Sequence, residues 1–337
     1  MAHDNNWASP CKRLGIFPTD SLFEKTRMRV LLTGARGFLG SFILRRLLDD
    51  GHAVAIVLRD ADPSKNWRLL GCLDRASVFL GGIETLDRQG EALARFSPDT
   101  AIHCAWSGIT RDERNDTKRQ NENFTNTVAF ADLCRRLGIL HWIGIGSQAE
   151  HGPQQGPLNE DSPLDPDTPY GQAKLASYRA AEALFRRHGG RFAWLRMFSL
   201  YGPGDNPEFM IPSLIMRLLR RERPALSEGT QKWDYLHVAD AAAATCHIAR
   251  VRHLEGAYNV GAGEPRSIRS IAEDIRDAID PSLPLGFGEH PSLPGSVRDL
   301  NVDPRRLLAT NWQPKFFWHA GVRDTVDWYR KHLSNRI

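Results

Sequence analysis

From Met28 onward, short and almost wholly apolar segments alternate with longer amphipathic ones, and this alternation limits the possible folds more than any other feature of the chain. The apolar segments, rich in leucine and β-branched residues, predict strands at residues 28–33, 53–59, 77–80, 100–105, 141–147 and 192–201. Helical patterns lie between them, the longest at residues 116–137 and 170–188. Strands that are apolar on both faces and alternate with helices are typical of a parallel sheet covered on each side. The sequence therefore predicts an α/β fold built on a doubly wound parallel sheet.

The last third of the chain follows a different pattern and predicts a second lobe. It is richer in proline, and its candidate elements are shorter. We expect residues 28–202 to form a cofactor-binding domain and residues 203–337 a smaller α/β lobe for substrate, with segments of 233–263 packing back on the first domain. Residues 1–27 show neither sustained periodicity nor a secretory signal, so we expect a disordered extension without a catalytic role.

Composition and charge exclude several classes of protein. The 337 residues are 41% hydrophobic and 25% charged, which is ordinary for a globular protein. The formal charge of +4, from 44 basic and 40 acidic residues, is too small to indicate a nucleic-acid partner. No run of about 18 apolar residues predicts a membrane span. The five cysteines have no metal-ligand spacing, and we interpret them as reduced thiols of a cytoplasmic protein without a metal site.

A glycine-rich turn between the first strand and the first helix is the first chemical signal. Gly34 allows a tight turn, Gly37 lets a pyrophosphate approach the backbone, and Gly40 permits close packing of helix on strand. The helix that follows presents unpaired N–H groups and the positive end of its dipole to the phosphates. We therefore predict a Rossmann-type dinucleotide site whose contacts include Gly34, Arg36, Gly37, Phe38, Leu39 and Gly40.

The end of the second strand bears on which dinucleotide binds. An acidic side chain there accepts the ribose hydroxyls of NAD, whereas a basic one favours the 2′-phosphate of NADP. The chain has Arg59 followed by Asp60. The guanidinium of Arg59 suits a phosphate, so we predict NADP, while Asp60 keeps NAD possible.

A serine, a tyrosine and a lysine form the second chemical signal. Ser147 closes the fifth strand, at the edge of the sheet where such folds bind ligands. Tyr170 and Lys174 are four residues apart, hence on one face of a helix. We expect the Lys174 ammonium and an oxidised nicotinamide to lower the pKa of the Tyr170 phenol, so that it exchanges protons with a substrate oxygen held by Ser147. The three residues predict hydride chemistry between a carbonyl and an alcohol.

With these residues in view, the chain resembles the extended short-chain dehydrogenases/reductases, in the branch that processes nucleotide sugars. The matching segments are TGxxGxxG at 33–40, DxxxHxA at 99–105, SQAEHG at 147–152, YxxxK at 170–174, LRxxxxYGPG at 195–204, DYLHVAD at 234–240 and YNVGAG at 258–263. The resemblance implies that Asn123 supports the catalytic lysine through water. It implies further cofactor contacts from Ile83, Cys104, Ala105 and Met197, and a homodimer paired through helices 116–137 and 170–188.

Departures from the family pattern narrow the implied reaction. Gln148 and Ala149 stand where 4,6-dehydratases have an Asp-Glu pair, which disfavours dehydration. Gln148 also replaces the cysteine of GDP-fucose synthases, and Leu58 the aspartate that closes the second strand of 4-epimerases. The segment 147–152 looks more like that of 4-ketoreductases of the CDP-abequose synthase type.

Other departures concern the substrate. Two arginines that hold a diphosphate in relatives are replaced by Trp233 and Leu293, and Lys232 and Arg298 are the candidate substitutes. The remaining candidate substrate contacts are Trp106, Gln148 and Ser199. For Trp106, packing in the core is an equal alternative.

The resemblance thus implies reduction of the C4 keto group of a nucleotide-linked 4-keto-6-deoxyhexose by NADPH. One alternative is a nucleotide-sugar 4-epimerase with tightly held NAD. A more distant one is a non-catalytic protein that senses NADP, although such relatives often lack the tyrosine or lysine.

Overall fold

A computed structural model describes residues 27–154, 156–290 and 299–334. The extension expected at residues 1–27 lies outside this part of the chain except for Arg27, and the candidate substrate residue Arg298 lies outside it too. None of the helices within these ranges is long and apolar enough to cross a membrane.

The strands and helices alternate as the sequence predicts. The strands are β1 (Arg29–Thr33), β2 (Ala53–Leu58), β3 (Ser77–Leu80), β4 (Thr100–His103), β5 (His141–Ser147), β6 (Pro157–Leu158), β7 (Arg191–Met197), β8 (Ser199–Tyr201), β9 (Ala225–Leu226), β10 (Lys232–Trp233), β11 (Tyr235–His237), β12 (Gly256–Val260), β13 (Arg266–Ser267), β14 (Gly286–Phe287) and β15 (Asp299–Val302). The helices are α1 (Phe38–Asp49), α2 (Gly90–Phe96), α3 (Thr117–Arg136), α4 (Pro169–Arg187), α5 (Met210–Leu219), α6 (Val238–Arg250), α7 (Ile268–Ile279), α8 (Arg305–Leu308) and α9 (Trp318–Ser334).

Seven parallel strands form the central sheet in the order β3-β2-β1-β4-β5-β7-β12. The chain runs outward from β1 to β3 on one side, crosses back to β4, and continues outward to β12 on the other. The carboxyl ends of β1 and β4 are therefore neighbours whose connections lead in opposite directions, which opens a crevice at that edge. The predicted doubly wound α/β fold is confirmed.

One predicted strand divides into two. Residues 192–201 give β7 in the central sheet and the separate β8, which pairs with β11. Phe198 stands at the break, where its N–H donates to the carbonyl of Val260 at 3.0 Å. Its side chain is buried in an apolar cluster with Leu158 and Leu300, so the chain leaves the sheet to bury this ring. The sequence pattern did not show the break because Phe198 is itself apolar and lies within a mostly apolar segment.

Helices cover both faces of the sheet. On one face α1 buries Leu39, Ile43 and Leu47 at helical spacing, and α6 packs against α1. On the other face Phe130 of α3 and Phe185 of α4 share one apolar cluster. Full burial of such a side chain contributes about 1.5–3 kcal/mol, so these contacts fix the helices on the sheet. The helix α6 and the strand β12 belong to these layers although they follow residue 203 in sequence.

The second lobe is centred on α5, α7 and α9, whose apolar faces form a cluster of their own. It touches the connection between β2 and β3, where Arg68 donates to the carbonyl of Gly204 at 2.8 and 2.9 Å. The neighbouring Asp205 is buried, and burial raises the pKa of its carboxyl to about 7. The two lobes are thus joined beside the crevice.

Candidate active site

The glycine turn closes at the switch point of the sheet. Gly34 has a φ of +74°, and a Cβ built on it would lie 2.5 Å from the amide nitrogen of Ala105 and 2.5 Å from the carbonyl carbon of Cys104. Gly37 donates to Gly34 O at 2.9 Å and is the N-cap of α1, without a capping side chain. A Cβ on Gly40 would fall well inside contact with Gly34 O. The backbone at the start of α1 is therefore bare and tightly folded, and it fits the dinucleotide that the sequence predicts.

Basic side chains surround the end of β2. Arg36, from the glycine turn, lies 3.4 Å from Asp60, and Lys65 lies 3.6 Å from the same carboxylate. Arg59 is exposed and lines a cavity of about 860 Å³ that reaches across to Lys118 on α3. The Asp60 carboxylate already has two cationic partners, whereas Arg59 faces open space.

Ser147 is fixed at the carboxyl end of β5 by its own local structure. The chain turns there into a short 3₁₀ helix at Gln148–Glu150, for which Ser147 is the N-cap. The Ser147 hydroxyl accepts from Ala149 N at 3.2 Å, and Glu150 Oε1 accepts from Ser147 N at 2.8 Å, which completes a capping box. Ser147 is 7% exposed, so its hydroxyl is held at the floor of the crevice.

Tyr170 and Lys174 face the same point from α4. The N-terminus of α4 is stabilised because the Thr168 side chain caps it by accepting from Gly171 N at 3.2 Å, and because Pro169 occupies the first turn. Both side chains are buried, and hydrogen bonding by Ser147 acts on the Tyr170 phenol. The Lys174 ammonium donates to Ile145 O at 2.7 Å. The structure brings the three predicted residues together.

Burial is the main influence on the pKa of Tyr170 in the protein without a cofactor. Burial raises the pKa of the phenol, and this outweighs the lowering by Arg114 and by the hydrogen bond of Ser147. Burial also lowers the pKa of Lys174 to about 7. In the protein alone burial thus disfavours the charged form of both groups, and the lowering of the Tyr170 pKa by Lys174 and an oxidised nicotinamide together stays a prediction.

The loop after β4 forms the wall of the site. Trp106 lies 3.7 Å from the Lys174 ammonium, measured to the ring centroid, and edge-on to Tyr170 with the ring centroids 6.0 Å apart. Its indole N–H donates to Gln120 at 2.9 Å. Asn123 binds the loop rather than the lysine, since its side chain bonds to Ser107 N, Oγ and O and to Gln120. A relay from Asn123 to Lys174 through water therefore stays a prediction.

Arg114 reaches the site without having been predicted. It belongs to a short 3₁₀ turn in the same loop, and its guanidinium lies 4.8 Å from the centroid of the Tyr170 ring. Nothing in its sequence neighbourhood marked it, because the approach depends on how the loop folds over α4.

Glu150 and Arg196 form a buried ion pair that was not predicted from the sequence. Their side chains are 0% and 2% exposed, and Arg196 Nε lies 2.9 Å from Glu150 Oε2. The signal was present as the spacing of a capping box, with a serine followed three residues later by a glutamate.

The other predicted contacts fall around this centre. Ile83 opens a 3₁₀ turn after β3, and Met197 ends β7 beside Ser147. Cys104 is partly exposed, but its apolar surroundings raise the pKa of its thiol to about 11 and make it a neutral packing residue. Gln148 and Ser199 are partly exposed, and Lys232 is exposed on β10. Among the described residues, no group of three or more His, Cys, Asp or Glu side chains could hold a metal ion.

Comparison with known proteins agrees with this geometry. Residues 30–261 match the model of the NAD dependent epimerase/dehydratase family. A trifunctional UDP-glucose 4,6-dehydratase/UDP-4-keto-6-deoxy-D-glucose 3,5-epimerase/UDP-4-keto-L-rhamnose-reductase of Arabidopsis thaliana is 26% identical over 91% of the chain, which spans about half (48%) of that relative. A UDP-N-acetylglucosamine 4-epimerase of Methanobrevibacter ruminantium M1 in complex with UDP-N-acetylmuramic acid shares the fold, with a TM-score of 0.82, 22% identity and coverage of 91% of this chain and 99% of its own. The protein MoeE5, solved with UDP-glucose and NAD, has a TM-score of 0.77 and 26% identity over 90% of this chain and 99% of its own.

The family match covers well over half of the chain, from β1 to the end of β12 and one residue beyond, and it includes the glycine turn and the candidate catalytic residues Ser147, Tyr170 and Lys174. The family predicted from the motifs is confirmed, and the chain belongs to the NAD dependent epimerase/dehydratase family, within the extended short-chain dehydrogenases/reductases.

Proposed function

We propose that this enzyme reduces the C4 keto group of a nucleotide-linked 4-keto-6-deoxyhexose. The observation that carries the proposal is the buried meeting of Ser147, Tyr170 and Lys174 beside the glycine turn. The nucleotide sugar as substrate is supported by relatives whose names specify UDP-linked sugars.

The state of Tyr170 suits the proton donation that reduction requires. Burial raises the pKa of its phenol, so the group keeps its proton at neutral pH and can donate it. In the proposed reaction Ser147 and Tyr170 hydrogen-bond the C4 oxygen, and Tyr170 gives its proton to the developing alkoxide. NADPH, when bound, supplies the hydride. Lys174 orients the phenol and holds a positive charge beside it.

The residues after Ser147 argue against water elimination at this site. Elimination needs an acid and a base at the sugar, and the two positions that follow Ser147 are Gln148 and Ala149. The carboxylate of Glu150 comes next, but it is fully buried and held by Arg196 and by the indole of Trp194.

NADPH is the proposed reductant. Arg36 and Lys65 neutralise Asp60, the residue that kept NAD possible, and Arg59 is free to meet a 2′-phosphate at the mouth of the large cavity. The alternative cofactor has support too, since MoeE5 was solved with NAD.

A 4-epimerase is the second candidate. The solved relative of M. ruminantium with the TM-score of 0.82 is a 4-epimerase and shares the fold over nearly its whole length. With the same serine and lysine in place, Tyr170 would take the proton of the 4-hydroxyl and a bound NAD would take the hydride from C4; return of the hydride to the opposite face of the keto sugar, and of the proton to its oxygen, would invert C4. Such an enzyme retains its NAD and consumes none.

The experiment that separates the two follows NADPH and NADH absorbance with the purified protein and CDP-, dTDP-, GDP- and UDP-linked 4-keto-6-deoxyhexoses. We expect stoichiometric oxidation of NADPH with one of them. No oxidation with any sugar, together with NAD released on denaturation and interconversion of UDP-hexoses, would favour the epimerase.

We also propose a homodimer paired through α3 and α4. The outer faces of these helices carry partly exposed Phe124, Val128 and Leu184 and exposed Ala129 and Ala183, which are compatible with helix pairing. Light scattering of the eluting protein should give twice the chain mass, and Ala183→Glu should return it to the monomer.

A further inference from the structure

A buried carboxylate lies beneath the active centre. Glu150 is fully buried, and each of its oxygens has a defined partner. Oε1 accepts from Ser147 N at 2.8 Å and from the Trp194 indole at 2.9 Å. Oε2 accepts from Arg196 Nε at 2.9 Å and from the same indole at 3.0 Å. The carboxylate is thus tied to the catalytic serine on one side and to an arginine on the other.

The surrounding sequence makes room for this carboxylate. A Cβ on Gly146 would lie 2.5 Å from Glu150 Oε1, so the glycine before Ser147 allows the carboxylate to reach the backbone. Arg196 stands on β7 beside Gly146 on β5, in register within the central sheet. Burying an ion pair of this kind is costly compared with apolar packing of the same volume, so a role in stability explains it poorly.

The charge of the Glu150 carboxylate acts on Lys174. Glu150 and Lys174 bind backbone groups two residues apart on β5, since the ammonium donates to Ile145 O at 2.7 Å and the carboxylate accepts from Ser147 N at 2.8 Å. At this separation Glu150 favours the charged form of Lys174, whereas burial and Arg114 oppose it. Cys104 is neutral at physiological pH, because burial raises the pKa of its thiol to about 11. The buried His103 is neutral as well, since burial and Lys174 lower its pKa to about 3. The titratable or charged groups that act on or border Lys174 are Glu150, Arg114, Cys104, His103 and Tyr170.

We propose that Glu150 is a positioning residue of the active centre: it fixes Ser147 through the backbone and supplies the negative charge that keeps Lys174 an ammonium ion while Tyr170 transfers its proton. The kinetic part of this inference rests on the proposed reductase function. The electrostatic part concerns Lys174 in the protein alone and can be measured without turnover.

The test uses a double variant, Glu150→Gln with Arg196→Met. The glutamine oxygen can still accept from Ser147 N, and the second change avoids an unpaired buried cation, which would destabilise the fold. The matched control is Asp240→Asn, which neutralises a buried carboxylate that also accepts two backbone N–H groups, at 2.9 Å each, but lies on α6. A second variant, Glu150→Asp, keeps the charge but shortens the arm that reaches Ser147.

The first readout is the titration of Lys174. The chain has eight lysines, so ¹³Cε-labelled lysine gives a simple NMR spectrum, and Lys174→Arg identifies the signal. We expect the pKa of Lys174 to fall in the folded double variant, because Glu150 favours its charged form whereas Arg196, the other charge removed, is not among the groups that act on it. The pKa of Lys174 should be unchanged in Asp240→Asn and in Glu150→Asp. An unchanged Lys174 titration in the double variant would overturn the electrostatic role.

The second readout is the pH profile of kcat/KM with NADPH. Carbonyl reduction needs the proton of Tyr170 and the charge of Lys174, and Glu150 raises the pKa of both groups. The fall in activity at high pH should therefore move to lower pH in the double variant. Glu150→Asp should lower kcat about tenfold or more with an unmoved profile, because only the position of Ser147 changes. A kcat of Glu150→Asp equal to that of the wild type would contradict the positioning role. If every protein is inactive, the wild type included, the reductase function is wrong, and the NMR titration of Lys174 decides the role of Glu150.

Discussion

The substitution Gly34→Ala tests how tightly the glycine turn is closed. At this position the backbone is left-handed, with a φ of +74°, which costs an L-residue about 1–2 kcal/mol. The added Cβ would also lie 2.5 Å from Ala105 N, so the turn and the end of β4 must separate by at least 0.5 Å (3.0 minus 2.5) to reach the shortest distance that real Cβ atoms show. Overpacking of this kind costs about 1–3 kcal/mol, which gives about 2–5 kcal/mol for the two effects together.

Gly138→Ala is the matched control, because Gly138 has a φ of +73° and nothing lies within 4 Å of the position that its Cβ would take. It should lose only the backbone part, about 1–2 kcal/mol. At about 2 °C per kcal/mol for a chain of this size, we expect Tm to fall by about 2–4 °C in Gly138→Ala and by about 4–10 °C in Gly34→Ala. Thermal unfolding without cofactor measures this difference.

Cofactor binding gives an independent readout of the same turn. Displacing the backbone that faces the phosphates should weaken NADPH and NADH alike by about tenfold or more in Gly34→Ala, since a hydrogen bond to a charged group is worth about 1.5–3 kcal/mol. Gly138→Ala should bind both as the wild type does. Fluorescence titration with each nucleotide decides the matter. Equal losses of Tm in the two variants, with unchanged affinity in Gly34→Ala, would show that the turn is neither closed against β4 nor part of the cofactor site.

Three further expectations follow from the site and its surroundings. Tyr170→Phe should lower kcat by about 10²–10⁴ with little change in NADPH affinity, whereas Tyr178→Phe, two turns further along α4, should stay near wild type; steady-state kinetics and fluorescence titration check both. Arg59→Ala should reduce the ratio of kcat/KM for NADPH over NADH about tenfold or more, and an unchanged ratio would remove Arg59 from the 2′-phosphate site. Asp205→Asn should raise Tm at pH 8 and change it least below pH 4, as scanning fluorimetry at several pH values can show. The reason is that burial raises the pKa of Asp205 from 3.8 to about 7 in the folded protein, so the cost of its buried charge grows as pH rises through this range.

Much of the fold could be predicted because its information is local. The strand at 141–147 has the same bounds in the sequence prediction and in the structure, since an apolar run lies between His141 and Ser147. The helix around Tyr170 was equally marked, by Thr168 and Pro169 at its start. Motif spacing then placed Ser147, Tyr170 and Lys174 at one edge of the sheet, where the structure brings them together.

The parts that sequence did not predict depend on tertiary packing. Phe198 divides the segment at 192–201 because its ring packs in a cluster with Leu158 and Leu300, which lie far from it in sequence. Arg114 reaches Tyr170 through the path of a loop held by Gln120, which donates to Gly108 O and Glu113 O at 2.9 Å each. Neither contact has a characteristic spacing.

The pKa of Tyr170 also depends on tertiary packing that the sequence does not show. Spacing correctly joined a phenol and an ammonium, and from that pair alone one expects the phenol to lose its proton more easily. The structure adds the depth of the site, where burial raises the pKa of Tyr170 and lowers the pKa of Lys174 to about 7, so both groups are driven toward their neutral forms. A neutral phenol is a proton donor, which suits reduction, but an uncharged Lys174 would help neither direction. The charge of Glu150 acts on both groups in the sense that reduction requires, because it favours the protonated form of each. The protonation states that the proposed reduction needs therefore depend on the buried carboxylate of Glu150 as well as on the serine, tyrosine and lysine themselves.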